Sequence, residues 1–451
     1  MSRSSDAPTG SDLARTVTLV AVVVALAAVA AVLVPWNVLG AGAPTVNPAP
    51  RADFTAQQLA NEAAFHRQLR PWTYARLLVA VVVPLVLGLT PLGARLVRAT
   101  TRWLPGRLRD RAWAVQVVLG TAALTLLTLL LTLPESVAAE RVLRRYGLST
   151  QDWSSWSVDA LRGWGVSTVV TAVLLLVLVG LARRWRRWWV AGGALAAVAV
   201  VAGSFVYPVV VEPLSNTFTP MQAGPQRQDL LDLAARDGVR VDQVLVADAS
   251  RRTTAENAYV SGLGDTRRVV VYDTLLRGAS PREVQLVVAH ELGHVKAHDV
   301  RLGTTLGALA AVAAVLALSW LLDERGRGRR ALLRRAGSSG ARDPGVVALV
   351  LAVVAVGSLV TAPASTLVSR RIEARADVHS LDLTRDVEGF AQMQRRLAVT
   401  NLSDLQPGWW RTALFATHPA PPWRIAMARA WAQQHGLPGP QPVAVMPSPS
   451  P

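Results

Sequence analysis

The 451-residue chain has no cysteine. That excludes disulfides, thiolate metal sites and cysteine nucleophiles, and leaves the redox compartment open. It has a single lysine, Lys296, and the other 46 of its 47 basic residues are arginine. Charge is scarce: 17% of residues are charged against 51% hydrophobic, which is not the balance of an ordinary soluble enzyme. The formal net charge of +17 invites a nucleic-acid reading. The arginines, however, sit in short loops between apolar runs and not along one soluble face, so no nucleic-acid partner is expected.

Long apolar runs are what the chain has in quantity. Seven approach the roughly 20 residues that cross a bilayer. They are Leu13–Val34, Leu77–Leu96, Ala112–Leu133, Val166–Leu181, Trp189–Val211, Leu302–Leu322 and Val346–Val368. Arginine or tryptophan bounds them, as interface anchors should. The predicted class is therefore mainly α, a polytopic integral membrane protein with a lipid bilayer as its partner. Residues 13–211 hold five spans with their connectors, and 302–322 and 346–368 hold the other two. Residues 212–301 and 369–436 read as two soluble segments, 323–345 as a flexible basic loop, and 1–12 and 437–451 as disordered tails. Ala41-Gly42-Ala43 could also serve as a signal-peptidase site, which would make the first run a cleaved signal peptide. The connector Pro134–Trp164 is too polar to span and is expected on the membrane surface or against a neighbouring helix.

One short stretch carries chemistry. Residues 290–294 read His-Glu-Leu-Gly-His. At 100° per residue, His290 and His294 lie about 400° apart, one turn apart on one helix face. That face suits zinc, held by two nitrogens at roughly 2.0–2.1 Å. Glu291 lies about 100° round, where a general base reaches the attacking water without being a ligand. A five-residue pattern also arises by chance on a surface helix. The apolar lead-in Val287-Val288-Ala289 argues against a solvated face, and three of the chain's seven histidines fall within Val287–Asp299. Ser280, Pro281 and Glu283 supply an N-cap, an N1 proline and a capping box for the metal helix. Before it, Val241–Ala247, Glu256–Ser261 and Arg268–Tyr272 read as strands, the last two joined by a hairpin at Gly262–Asp265.

Two histidines leave a catalytic zinc short of a third protein ligand. His298 sits a turn past the metal and reads as a helix-end histidine. A metzincin would need histidine where this chain has Val300. Glu373 and Asp377, directly after the last apolar run, share a helix face. One could bind zinc while the other accepts the distal N–H of a ligand histidine. Ion pairing with the neighbouring arginines is the equal alternative.

With these residues the sequence resembles the type-1 CAAX prenyl proteases, integral-membrane zinc metalloproteases of the gluzincin type, related more distantly to the bacterial heat-shock membrane protease. The likeness rests on His290–His294; on Ser369, Arg370, Glu373, Ala376 and Asp377; and on Asn257-Ala258-Tyr259 with the following strand. His418-Pro419 matches a late motif, although Arg424 comes six residues after the histidine. The resemblance implies seven helices around a water-filled chamber, with a small α+β, gluzincin-like catalytic portion. It implies one zinc ion with Glu373 as third ligand, Asp377 behind a histidine, and His418 stabilising the transition state. It implies a strand at Asn257, Ala258 and Tyr259 that binds an extended peptide. The function expected is a zinc-dependent membrane endopeptidase acting on a protein or peptide, CAAX-processing-like. A membrane quality-control protease and a non-catalytic scaffold with a relic metal site are the alternatives.

Seven spans put both soluble segments opposite the N-terminus. The arginine-rich short loops at 95–111, 183–187 and 325–342 all fall on the N-terminal side, which favours a cytoplasmic N-terminus and an outward-facing site. Eukaryotic members of the resembling family face the cytosol, and the two warrants conflict.

Overall fold

The computed structural model describes residues 10–105, 107, 112–214, 216–261 and 268–443. The head at 1–9, the glycine hairpin at 262–265 and the tail beyond 443 lie outside the described residues. Among the described residues, seven helices are long and apolar enough to cross a membrane. They are α1 (Gly10–Leu33), α3 (Ala56–Leu89), α5 (Trp113–Arg145), α6 (Trp153–Arg184), α7 (Trp188–Val206), α11 (Asp299–Leu321) and α13 (Val346–Thr384). Packing runs round a ring, α11 on α7, α7 on α6, α6 on α5, α5 on α3, α3 on α13, and α13 back on α11. α1 packs on α11. Much of each span is unburied, with Val169, Val170, Val173 and Leu174 of α6 turned outward, as lipid-facing residues are.

Several boundaries differ from the hydropathy reading, each for a local reason. The run Leu77–Leu96 crosses a break. α3 begins at Ala56 behind a capping box of Thr55 and Gln58, and it stops at Thr90. Pro91 follows, and a proline disfavours helix at the residue before it. Thr90 then caps α4 (Pro91–Ala99). The short run Val166–Leu181 belongs to a 32-residue helix, because Asp152 caps α6 at Trp153. The connector Pro134–Trp164 is not a separate element. α5 runs on through Pro134, and the connector's later half is the start of α6. The turn between them is pinned to the catalytic side, where Thr150 N donates to Arg252 O and Thr254 N to Leu148 O.

The basic loop 323–345 is ordered. It folds α12 (Arg327–Arg335) with Leu333 and Ala336 buried beneath its arginines. Arg98 donates to Gly337 O and Arg183 to Arg342 O, which ties it to the C-terminal ends of α4 and α6. The proline-rich tail is bound where it starts: Gln441 N donates to Glu388 Oε2 and Val443 N to Ala52 O.

α13 has 39 residues. At 1.5 Å per residue it is about 58 Å long, roughly twice the hydrocarbon thickness. The last span and the Glu373 segment are therefore one helix. Beside its far end lies a four-stranded sheet, order β1-β2-β4-β3. Its strands are β1 (Phe218–Pro220), β2 (Gln243–Ala247), β3 (Ala258–Ser261) and β4 (Arg268–Tyr272). β2 and β4 are parallel and the other pairs antiparallel. β3 starts at Ala258, two residues later than expected. α10 (Pro281–Lys296), α14 (Val387–Thr400) and α16 (Pro421–Gln434) complete this portion. Val288 and Leu292 meet Val269, Val271, Phe390 and Trp431 in its core.

The segment before α3 and the first half of α3 dock on the same portion. Asp53 takes Arg429, Arg70 takes Asp404 at 2.9 Å, and His66 Nε2 lies 3.0 Å from Leu402 O. At the opposite end of the bundle, Arg15 meets Asp323 and the carbonyl of Ser319. The two soluble segments thus share one end of the bundle, and α1 begins at the other.

Candidate metal centre

Two helices build the centre. Ser280 caps α10 with a complete capping box to Glu283, and Pro281 opens it. α13 lies against α10, and Gly293 is where they meet. A Cβ there would stand 3.0 Å from His379 Cβ and 3.1 Å from Ala376 Cα, so glycine permits the close approach. This brings the end of α13 beside the two histidines.

His290 Nε2 and His294 Nε2 lie 3.2 Å apart. Glu373 Oε2 is 3.2 Å from His290 Nε2, and Glu373 Oε1 is 3.7 Å from His294 Nε2. The Glu291 carboxylate is within 4.8 Å of both histidines. Enclosure pushes its carboxyl above the usual range, against the pull of His290 and His294. His418 Nε2 lies 3.2 Å from Glu373 Oε2, with 58% of its side chain exposed, so it stands at the rim.

Behind each imidazole stands a carboxylate. Asp377 Oδ1 is 2.9 Å from His290 Nδ1, and Asp377 itself is fully buried. Asp299 Oδ2 is 2.9 Å from His294 Nδ1. Each carboxylate has its own arginine. Arg424 Nε donates to Asp377 Oδ2 at 2.8 Å, with a second contact through Nη2. Arg375 donates to Asp299 Oδ1. Sequence reasoning missed Asp299, Arg375 and the role of Arg424. Asp299 had a signal, as the first carboxylate after the metal helix. In the sequence Arg424 is only a departure in spacing, and in the fold it reaches Asp377. His298 takes a left-handed conformation, φ 56°, which ends α10 and starts α11. It is not part of the cluster.

The donor set fits a divalent metal. Tetrahedral bonds of roughly 2.0–2.1 Å put ligand atoms about 3.3 Å apart, which matches these separations. With each Nδ1 facing a carboxylate, the Nε2 lone pairs point inward. Glu373 Oε2 is buried without a hydrogen-bond partner, an unmet demand that a cation satisfies.

Asn257, Ala258 and Tyr259 run beside the metal helix: β3 packs on α10, with Ala258 in the core that Val288 and Ala289 share. Asn257 O accepts from Tyr272 N, and its Oδ1 from Ala258 N. Tyr259 turns to the other face of the sheet, where its hydroxyl lies 3.4 Å from Glu212 Oε2. β3 is an edge strand, paired with β4 on one side.

Residues 221–432 match peptidase family M48, and residues 59–217 match the family described as CAAX prenyl protease N-terminal, five membrane helices. An uncharacterized metalloprotease of Bacillus subtilis, YhfN, is 30% identical over 298 residues, 66% of this chain and 69% of that one. The chain belongs to peptidase family M48. A CAAX prenyl protease 1 homolog of Oryza sativa subsp. japonica is 29% identical over 302 residues, 64% of this chain and 67% of that one. The crystal structure of Ste24p from S. mikatae has the same fold, with a TM-score of 0.70 at 18% identity, covering 92% of this chain and 98% of that one. This M48 member is a multi-pass membrane metalloprotease, and the cluster on α10 and α13 is its candidate metal centre.

Proposed function

We propose that this protein is a zinc-dependent membrane endopeptidase that hydrolyses a protein or peptide substrate, in the manner of CAAX processing. The observation that carries the reading is the triangle of His290 Nε2, His294 Nε2 and the Glu373 carboxylate, with a carboxylate behind each imidazole. These three residues would hold one zinc ion. Zinc, when bound, polarises the scissile carbonyl and acidifies water. Glu291 takes the proton of the attacking water and passes it to the leaving amine. His418 donates an N–H to the oxygen that gains charge as the carbonyl is attacked. Asp377 holds the His290 ring in one tautomer. The free edge of β3, from Asn257 through Ala258 and Tyr259, pairs with an extended substrate through its backbone.

The test is zinc content and casein cleavage by the purified full-length protein, beside Glu291→Ala and Glu373→Ala. Glu291→Ala is expected to keep its zinc and lose at least about 10²-fold in rate. Glu373→Ala is expected to lose zinc or bind it weakly. A wild type that takes up no zinc would remove the reading.

A further inference from the structure

One stripe of α13 holds more than the metal centre. Thr366, Arg370, Glu373 and Asp377 follow at spacings of four, three and four, so they share a face. Glu373 meets His418, and Asp377 meets Arg424. The two earlier residues grip the segment that delivers His418. Thr366 Oγ1 donates to Ala413 O at 2.5 Å. Arg370 Nη1 donates to Thr412 O at 2.5 Å and to Ala416 O at 2.7 Å. These carbonyls lie at the end of α15 (Trp409–Phe415), where a helix leaves its last C=O groups unpaired and carries partial negative charge.

The rest of this arm is lightly held. α15 is described in full, and none of its seven residues is buried. Trp409 is 83% exposed. Trp410 and Phe415 touch one ring, Tyr74 of α3, at centroid distances of 5.4 and 6.1 Å. Besides the Tyr74 contacts, Arg411 pairs with Asp404 at 3.4 Å and Pro419 is buried just past His418, so the bonds to α13 are the ties that hold the C-terminal end of α15 itself. Ala416 is two residues from His418, so a shift at the Arg370 contact passes almost directly to the imidazole.

We infer that Arg370, assisted by Thr366, is a positioning residue that clamps the α15 arm and sets His418 at the metal centre. The catalytic half of the inference rests on the role given to His418 above. The test compares full-length wild type, Arg370→Met, Arg370→Lys, His418→Ala and the Arg370→Met/His418→Ala double variant. It reads metal content, hydrogen exchange of 409–418, and kinetics on a quenched peptide. Arg370→Met is expected to keep its metal and the exchange protection of α10, while 409–418 exchanges at least about tenfold faster. Its kcat should fall on the order of 10²-fold with KM nearly unchanged, the cost of a small misplacement. Arg370→Lys, which still donates to the carbonyls, should recover most of both. In the His418→Ala background, Arg370→Met should cost less than about twofold, because the two act through one group.

Unchanged exchange in 409–418 would overturn the clamp, and so would loss of metal in Arg370→Met. Losses that multiply in the double variant would overturn the route through His418. Full activity of His418→Ala would defeat the role of His418 and the catalytic half with it, whereas faster exchange in Arg370→Met would still support the clamp.

Discussion

At the scale of residues, the centre repeats one arrangement twice: imidazole, carboxylate, guanidinium. His290, Asp377 and Arg424 form one row, and His294, Asp299 and Arg375 the other. A carboxylate behind a ligand imidazole fixes its tautomer and raises its basicity. Asp377→Asn and Asp299→Asn are each expected to weaken metal binding by about 10- to 100-fold, measured by competition with a chelator. Metal affinity unchanged in both would show that the carboxylates do not orient the rings. Arg424→Met should go further, since it leaves Asp377 buried without its partner. A buried pair broken on one side costs about 3–5 kcal/mol, so a lower unfolding temperature should accompany the metal loss. His290, Glu291 and His294 were legible in the sequence because four-residue spacing is local helix geometry. Asp299 was harder to read, because its use depends on α10 ending at His298. Arg424 depends on α16 folding back onto α13, a tertiary fact that no local pattern contains.

At the scale of elements, α13 explains why hydropathy placed the spans and missed their ends. Hydropathy marks where a helix meets lipid, but capping and proline mark where it starts and stops. Asp152 before α6 and Thr90-Pro91 after α3 are such signals, and each overrode the apolar run. Asp386 does comparable work between helices. Its Oδ1 accepts from Gly389 N at 2.9 Å and caps α14. Both oxygens take the guanidinium of Arg282, on α10, at 2.5 Å. Burial pushes its carboxyl up, but Arg282 and the Gly389 N–H outweigh burial and hold it below the usual range. Asp386→Ala is expected to cost about 1 kcal/mol through the lost cap. A carboxylate with a depressed pKa contributes stability above its ordinary value and loses it as pH falls through the depressed one. The gap between wild type and Asp386→Ala, read by thermal unfolding, should therefore be full at pH 7 and shrink below about pH 4. A gap that grows on acidification would contradict this assignment.

At the scale of the whole molecule, the ends of the bundle differ in kind. The catalytic helices, the sheet and the segment from Asp53 to Arg70 occupy one end. The other end holds Arg15 with Asp323, Arg98 with Gly337, and Arg183 with Arg342. The arginine-rich loops at 95–111, 183–187 and 325–342, as far as they are described, are thus neighbours in space as well as alike in charge. Short loops rich in arginine resist translocation, whereas long segments cross largely regardless of charge. The arginine end is therefore expected inside and the metal centre outside. Because the chain has no cysteine, a single introduced thiol reports one position without background. Ala223 is exposed beside the sheet, and Ser339 is exposed in the arginine loop. In intact cells a membrane-impermeant maleimide is expected to label Ala223→Cys and spare Ser339→Cys until the membrane is opened. The reverse pattern would put the metal centre inside and show that the short loops do not set the orientation. Labelling of both thiols in intact cells would contradict the odd number of spans between the two ends, which the ion pairs at each end require.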